Sequence, residues 1–265
     1  MRVGLGVMPA GARNVAFAAM DVATLAQLHP GRLTIAVGHG MPAWMRSVGA
    51  WPSSPLTLLS EYITTLRGLL RGNLTHYKGR YVQVDGLRLQ PTSLPGSVPD
   101  VLAGVRGPRS LSLSGHVADG TVLAEPVTPG YVRSALRDIA PARPHRVVAY
   151  NVAAVHDDPA VALEAARLPL AVVAEDDWRP HIAPLPFRDA LLSLRSRSAG
   201  PEDFARNMPE EWVRQLAVVG TPAQARARLA ELFDAGVTST VLTPVGPDYV
   251  RSLDSLATVL RAEPA

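Results

Sequence analysis

Two apolar patterns alternate along the chain. Short, nearly unbroken apolar runs are separated by longer stretches in which apolar residues recur every three or four positions. The first kind reads as strand, the second as amphipathic helix. Val3–Met8 is a strand ended by Pro9. Asn14 is placed to cap a helix whose Val15, Ala18, Ala19, Val22 and Ala26 share one face. The turn HPGR at 29–32 stops it. Leu33–Val37 is a second strand without polar alternation, as expected where both faces are covered in a parallel sheet.

After Gly38-His39-Gly40 the chain reads as irregular until Ser54-Pro55 opens a helix running to Arg71. Its inward residues are Leu56, Leu59, Ile63, Leu66 and Leu70, and Gly72 is its stop. Residues 74–90 alternate and carry the turn signals Lys78-Gly79 and Asp85-Gly86, which predicts an inserted surface hairpin. Further strands are expected at Asp100–Gly104, Thr121–Ala124, Arg146–Val155 and Val237–Thr243. Helices are expected from Gly107-Pro108-Arg109 to Ala118, over Pro129–Ile139, after the capping box Thr221–Gln224 as far as Gly236, and over Pro247–Arg261. Between 158 and 215 the pattern is helical with proline-broken joints, longer than a crossover needs. Six βα units in one domain of residues 1–265 predict an α/β protein with a parallel sheet, either doubly wound or a (β/α) barrel.

The segment GHGMPA (38–43) fits the dinucleotide fingerprint G-x-G-x-x-G/A, with Glu61 near the expected ribose-binding position. The fit is read as chance. Pro42 and the stretch MRSVGAWPSSP leave no helix starting within the glycines, and Glu61 falls in the middle of the helical LLSEYITTLRGLL. The glycines are better read as the end of a buried strand, where a ligand can approach the backbone closely.

Composition narrows the function. Apolar residues make up 47% of the 265, enough for a full core, and the formal net charge is only +3. Lys78 is the sole lysine among 26 basic residues, and no basic stripe interleaved with aromatics appears, which argues against nucleic-acid binding. Cysteine is absent, so disulfides, thiolate metal sites and a thiol nucleophile are excluded. The seven histidines form no HxH or HExxH pair, giving no local support for a metal. No export signal or membrane span is legible, and the expected setting is the cytoplasm.

The strongest chemical patch is Ala103-Gly104-Val105-Arg106-Gly107-Pro108-Arg109-Ser110. A strand end feeding a Gly-Pro helix start presents backbone N–H groups and the positive end of the helix dipole to an anion. Arg106, Arg109 and the Ser110 hydroxyl add donors suited to phosphate. Proline at a first helical position is also common without any ligand.

Four segments in order, VGLGVMP…RN, LHPGRLTIAVGHG, VLAGVRGPRSLSLSGHVADGTVL and VVGTPAQARARLAELFDAGV, resemble the bacterial luciferase-like superfamily across the whole chain. The resemblance is greatest to its coenzyme F420 (deazaflavin) branch, such as methylene-tetrahydromethanopterin reductase. It implies a TIM-type barrel, shortened at the N-terminus to about six βα units, with F420 or FMN across the carboxyl mouth of the strands. It also implies a non-prolyl cis peptide at Gly6–Val7 backing the ring; an ordinary trans strand end beside Pro9 is the alternative. Gly38, His39 and Gly40 would line the cofactor, and Met41 stands where the family's proton-transferring acid sits. His39 would take over that acid–base work or simply bond at the pocket rim. Patch 103–110 would hold the phosphate. Asp119-Gly120 matches a structural strand entry, and the Trp44/Trp51 loop with insertion 158–215 would wall the substrate or merely pack.

The family pattern places two βα units before Val3–Met8. A late start codon, partner pairing of the open sheet edges, or a degenerate member like the non-fluorescent flavoprotein each account for their absence. The resemblance therefore implies an F420-dependent oxidoreductase acting on a small organic molecule. An FMN-dependent monooxygenase and a non-catalytic flavin-binding member are the rivals. A homodimer is a further expectation; neither nucleic acid nor membrane is an expected partner.

Overall fold

The computed structural model describes residues 1–260, which fall into two compact units, 1–122 with 138–146, and 123–137 with 147 onward. In the first, strands β1 (Val3–Pro9), β2 (Leu33–Gly38), β5 (Asp100–Gly104) and β6 (Gly120–Leu123) are laid side by side in that order, all parallel. Helices α1 (Val15–Leu28), α3 (Pro55–Leu70) and α4 (Pro108–Val117) connect them. Asn14 caps α1 through its side chain to the Ala16 amide at 2.9 Å, and the five apolar residues expected on one face are all buried, together with Ala23. The β2 core, Ile35 to Val37, is almost fully buried, as the lack of alternation predicts.

The antiparallel hairpin consists of β3 (Thr75–Lys78) and β4 (Gln83–Leu87). Its turn lies at 79–82. Asp85-Gly86 is not a second turn: Gly86, with φ +62°, sits inside β4, where the pairing register shifts.

Asp119 ties the lower end of this unit together. It takes a two-pronged ion pair from Arg67 of α3, accepts the Val101 amide at 3.1 Å, and offers its carbonyl to the Arg146 amide. Arg67 also donates to the Val117 carbonyl at 2.7 Å. The strand entry at 119–120 is thus a fastening between α3, α4 and two strands.

In the second unit β7 (Arg146–Val155) pairs in parallel with β9 (Ser239–Pro244) and, at its end, with the three-residue β8 (Val218–Gly220). Insertion 158–215 contains α6 (Pro159–Arg167), α7 (Arg179–Ile182), α8 (Arg188–Arg197), α9 (Pro201–Asn207) and α10 (Glu210–Leu216). Phe204, Leu191, Val213 and Leu216 from these helices are completely buried in one core cluster that also contains Val152 and Ala154 of β7. The capping box of α11 (Pro222–Asp234) is formed in both directions between Thr221 and Gln224.

Several expectations need correction. Residues 42–47 form a helix, α2, because Pro42 occupies a first-turn position where it initiates rather than breaks. The Rossmann reading still fails, since α2 leads into another helix rather than a strand, and Glu61 lies within α3. Strand β8 raises the parallel strands among the described residues to seven, so the count of six βα units does not stand. Leu56 is half-buried rather than core. The last helix, α12, starts at Tyr249 rather than Pro247, and Arg261 lies outside the described residues.

Candidate functional site

Parallel register carries Pro9, Gly38, Gly104 and Val122 to one level at the carboxyl tips of four neighbouring strands. Such a row is where ligands bind in parallel α/β sheets, because the loops beyond it diverge. Each tip has its own local construction.

On β1 the register against β2 breaks between Leu5 and Met8, and inside the break the Gly6–Val7 bond is cis. The Val7 side chain is laid over the tips of β2 and β5. A Cβ on Gly104 would meet Val7 Cγ1 at 2.3 Å, and one on Gly38 would meet the Gly104 carbonyl at 2.9 Å and Val7 Cγ2 at 3.3 Å. Both glycines are therefore required by Val7 and by backbone approach. Gly40 has φ +77°, and its missing Cβ leaves room for Met45 of α2, 2.8 Å from where it would stand. Met41 precedes α2 as its N-cap residue and is largely exposed.

His39 leaves the β2 tip half-buried, and its Nε2 lies 3.3 Å from Ser110 Oγ in the first turn of α4. The contact joins two sequence patches 71 positions apart. Burial lowers the imidazole pKa below 6.5, an effect that the backbone at Pro55 offsets only in part. Burial thus favours the neutral ring, with the Ser110 hydroxyl as its neighbour.

Across the β5 tip, Ala103 and Val105 are buried, and the Val105 amide donates to the Val122 carbonyl at 3.2 Å. That amide is committed to the sheet. The first backbone bond of α4 runs from Leu111 to Gly107, so the amides of Arg109 and Ser110 precede the helical ladder. Gly107 is the N-cap residue, and a Cβ there would meet nothing within 4 Å. Pro108 and Arg109 are exposed, while Arg106, Gly107 and Ser110 are half-buried. The space beside Gly107 at the head of α4 is open and lies next to the Arg109 and Ser110 amides and the Ser110 hydroxyl, donors that suit a phosphate oxyanion.

A cleft of about 320 Å³ also opens beside Ala10 and Gly11, walled by Arg13, Trp51, Tyr62 and Tyr81. No group of three or more metal-ligating His, Cys, Asp or Glu residues occurs among the described residues. No described helix is long and apolar enough to cross a membrane.

The sequence reading overlooked Glu61, weighing it only as a ribose ligand. The structure makes it a buried carboxylate that accepts three successive hairpin amides, from Arg80, Tyr81 and Val82, at 2.8 to 2.9 Å. A charged residue amid the apolar Tyr62, Ile63 and Leu66 was the available signal, because buried charge demands partners.

A parallel α/β frame with glycine-lined strand tips beside an open helix start marks the carboxyl end of the sheet as the candidate ligand site. The chain belongs to the luciferase-like monooxygenase family, whose profile matches residues 1–239. It is 27% identical over 266 residues to 5,10-methylenetetrahydromethanopterin reductase of Methanolobus tindarius, covering 96% of this chain and 80% of that one. The structure superposes on the coenzyme F420-dependent tetrahydromethanopterin reductase of Methanopyrus kandleri with a TM-score of 0.77 at 20% identity, over 97% of this chain and 81% of that one. A Baeyer–Villiger monooxygenase of Pseudomonas putida, the oxygenating constituent of 3,6-diketocamphane monooxygenase solved with FMN, gives a TM-score of 0.65 at 15% identity, over 98% and 77%. The chain thus shares the luciferase-like barrel fold with relatives that use either F420 or FMN.

Proposed function

We propose that the protein is an F420-dependent oxidoreductase transferring a hydride between the deazaflavin coenzyme and a small organic substrate. The observation that carries this reading is the His39–Ser110 contact, which brings the β2 tip and the head of α4 to one place. The likeness to methylenetetrahydromethanopterin reductases favours the deazaflavin over FMN.

When bound, the coenzyme supplies the hydride chemistry. The chain's own residues bind and orient. The Arg109 and Ser110 amides, the Ser110 hydroxyl and the Arg109 guanidinium hold the phosphate, with Arg106 flanking them and Gly107 and Pro108 shaping the turn. Gly6 and Val7 would lie against the bound ring. Gly38, Gly40, Ala103, Gly104 and Val105 keep the floor narrow. His39, neutral at ordinary pH, holds or moves a proton at its ring nitrogen in place of the carboxylate that Met41 does not provide.

Titration of the purified protein with F420 and with FMN, followed by fluorescence, tests the reading. F420 binds, and Arg109→Ala weakens it about tenfold or more, as loss of a charge-assisted phosphate contact requires. Tight FMN binding without F420 binding replaces this reading with a flavin monooxygenase, for which the shared fold of the diketocamphane enzyme speaks. Cofactor binding with no turnover in any substrate screen supports a non-catalytic flavin-binding member, and binding of neither cofactor overturns the reading.

A further inference from the structure

The cleft beside Ala10 and Gly11 is lined separately from the strand-tip site: Gly6, Val7, Gly38, His39, Arg109 and Ser110 are all absent from its walls. One wall is Tyr62 of α3, only 1% exposed, whose hydroxyl has no hydrogen-bond partner among the described residues. A buried hydroxyl without a partner is costly, so one that is kept calls for an explanation. Burial also pushes the phenol pKa up to about 12, which keeps the group a neutral donor at ordinary pH.

Three further features converge on the same space. Arg13 is the only charged residue among the described residues that line it. One of its nitrogens pairs with Asp21 at 2.7 Å, an exposed contact that leaves the guanidinium with N–H donors to spare. Asn14 and Val15, also in the wall, open the helix α1. The Asn14 side chain covers the Ala16 amide, and the first helical bond runs from Ala18 to Asn14, so the Val15 and Phe17 amides precede the ladder. No acidic residue stands in that first turn to neutralise the helix dipole. Trp51, Leu58 and Tyr81 supply apolar surface, and the Tyr81 hydroxyl is already spent on the Ser54 amide at 2.7 Å and on Ser53 Oγ at 2.6 Å.

We propose that this cleft binds a small organic carboxylate with a flat apolar body. The carboxylate takes the Arg13 guanidinium and the Tyr62 hydroxyl as donors beside the head of α1, and the body lies against Trp51 and Leu58. The lining sets the sign of the ligand, because it offers one cation with phenolic and amide donors and no carboxylate. Its aromatic and aliphatic part favours an organic acid over a bare inorganic anion, and about 320 Å³ admits a single ring with its carboxylate. The site needs no coenzyme and goes beyond the oxidoreductase reading.

Benzoate is the probe, titrated against the full chain and followed by proton–nitrogen correlation NMR, with benzamide as its neutral counterpart. Benzoate shifts the amides of Gly11, Val15 and Ala50 and the Trp51 indole saturably. Benzamide binds about tenfold or more weakly, as loss of a charge-assisted contact requires. Arg13→Gln weakens benzoate by a similar factor. Tyr62→Phe weakens it about threefold or more. The same change leaves the unliganded chain as stable as before or more so, because the hydroxyl it removes has no partner to lose. Asp21→Asn, which frees Arg13 from its present carboxylate, tightens binding. Unchanged benzoate affinity in folded Arg13→Gln or folded Tyr62→Phe overturns the proposal, as does equal binding of benzamide or an absence of saturable shifts. Shifts confined to residues 105–110 overturn it too, since they place the anion at the head of α4. Failure of F420 to bind leaves every one of these outcomes as it stands.

Discussion

Gly104 is the position where packing and binding can be separated most cleanly, and Gly104→Ala is the change that does it. The new Cβ would lie 2.3 Å from Val7 Cγ1 and 3.3 Å from Val7 Cβ. Carbon atoms pack best at about 3.5–4.0 Å, so the first contact is short by more than 1 Å. Val7 is β-branched and has few alternative rotamers, but it is 42% exposed and can swing outward. The expected cost is therefore in the lower part of the overpacking range, about 1–2 kcal/mol. At about 2–4 °C per kcal/mol for a chain of roughly this size, the melting temperature falls by about 2–8 °C. The decisive measurement is a double-mutant cycle in denaturant with Val7→Ala, which removes Cγ1 and leaves only the milder 3.3 Å approach. Gly104→Ala in that background costs at least 1 kcal/mol less, a coupling of the size expected for residues in contact. If Gly104→Ala costs the same with and without Val7, the glycine serves something other than that side chain, and the account of the strand tips is wrong.

Two further outcomes follow from the charged groups. Asp119→Ala leaves the largely buried Arg67 without its main partner and lowers unfolding stability by about 2–4 kcal/mol, measurable in urea. The folded-state pKa values of His39 and His145 are lowered, chiefly by burial, so their contribution to stability is complete above 6.5 and is lost as pH falls through the depressed values. Glu61, also lowered, adds a second loss that begins only below 4.5. The urea midpoint accordingly drops between about pH 7.5 and 5 before any carboxylate contribution is lost, and His145→Gln reduces that drop; a midpoint that rises on acidification over this interval would contradict the assignment.

The parts of the fold legible in sequence are those written in local chemistry. Asn14 before an apolar helix face, the Thr221–Gln224 box and the unalternating LTIAV each reappear in the structure where their physics requires. Local rules misled where two meanings share one residue type. Pro42 breaks a helix from within but starts one from its first turn, and Gly86 marks a strand bulge as readily as a hairpin turn. Three residues carry too little periodicity to announce β8. The candidate site was visible as three separate patches, the tips of β1, β2 and β5. Their convergence was expected only from the family resemblance and is not legible in the residues themselves, because the His39–Ser110 contact and the seat of Val7 on Gly38 and Gly104 are products of strand register. Glu61 stayed hidden for a related reason. Its partners are backbone amides, which leave no signature of their own in a sequence.

The level row of Pro9, Gly38, Gly104 and Val122 acts as a boundary in what the molecule can tolerate. Beneath it, every residue is answerable to its neighbours across the ladder, and a change is felt through the frame. Above it, segments 39–41 and 105–110 hang from fixed anchorages and answer to whatever they grip. Chemistry can therefore be rewritten loop by loop, one ligand preference exchanged for another, while the scaffold underneath goes on folding as before.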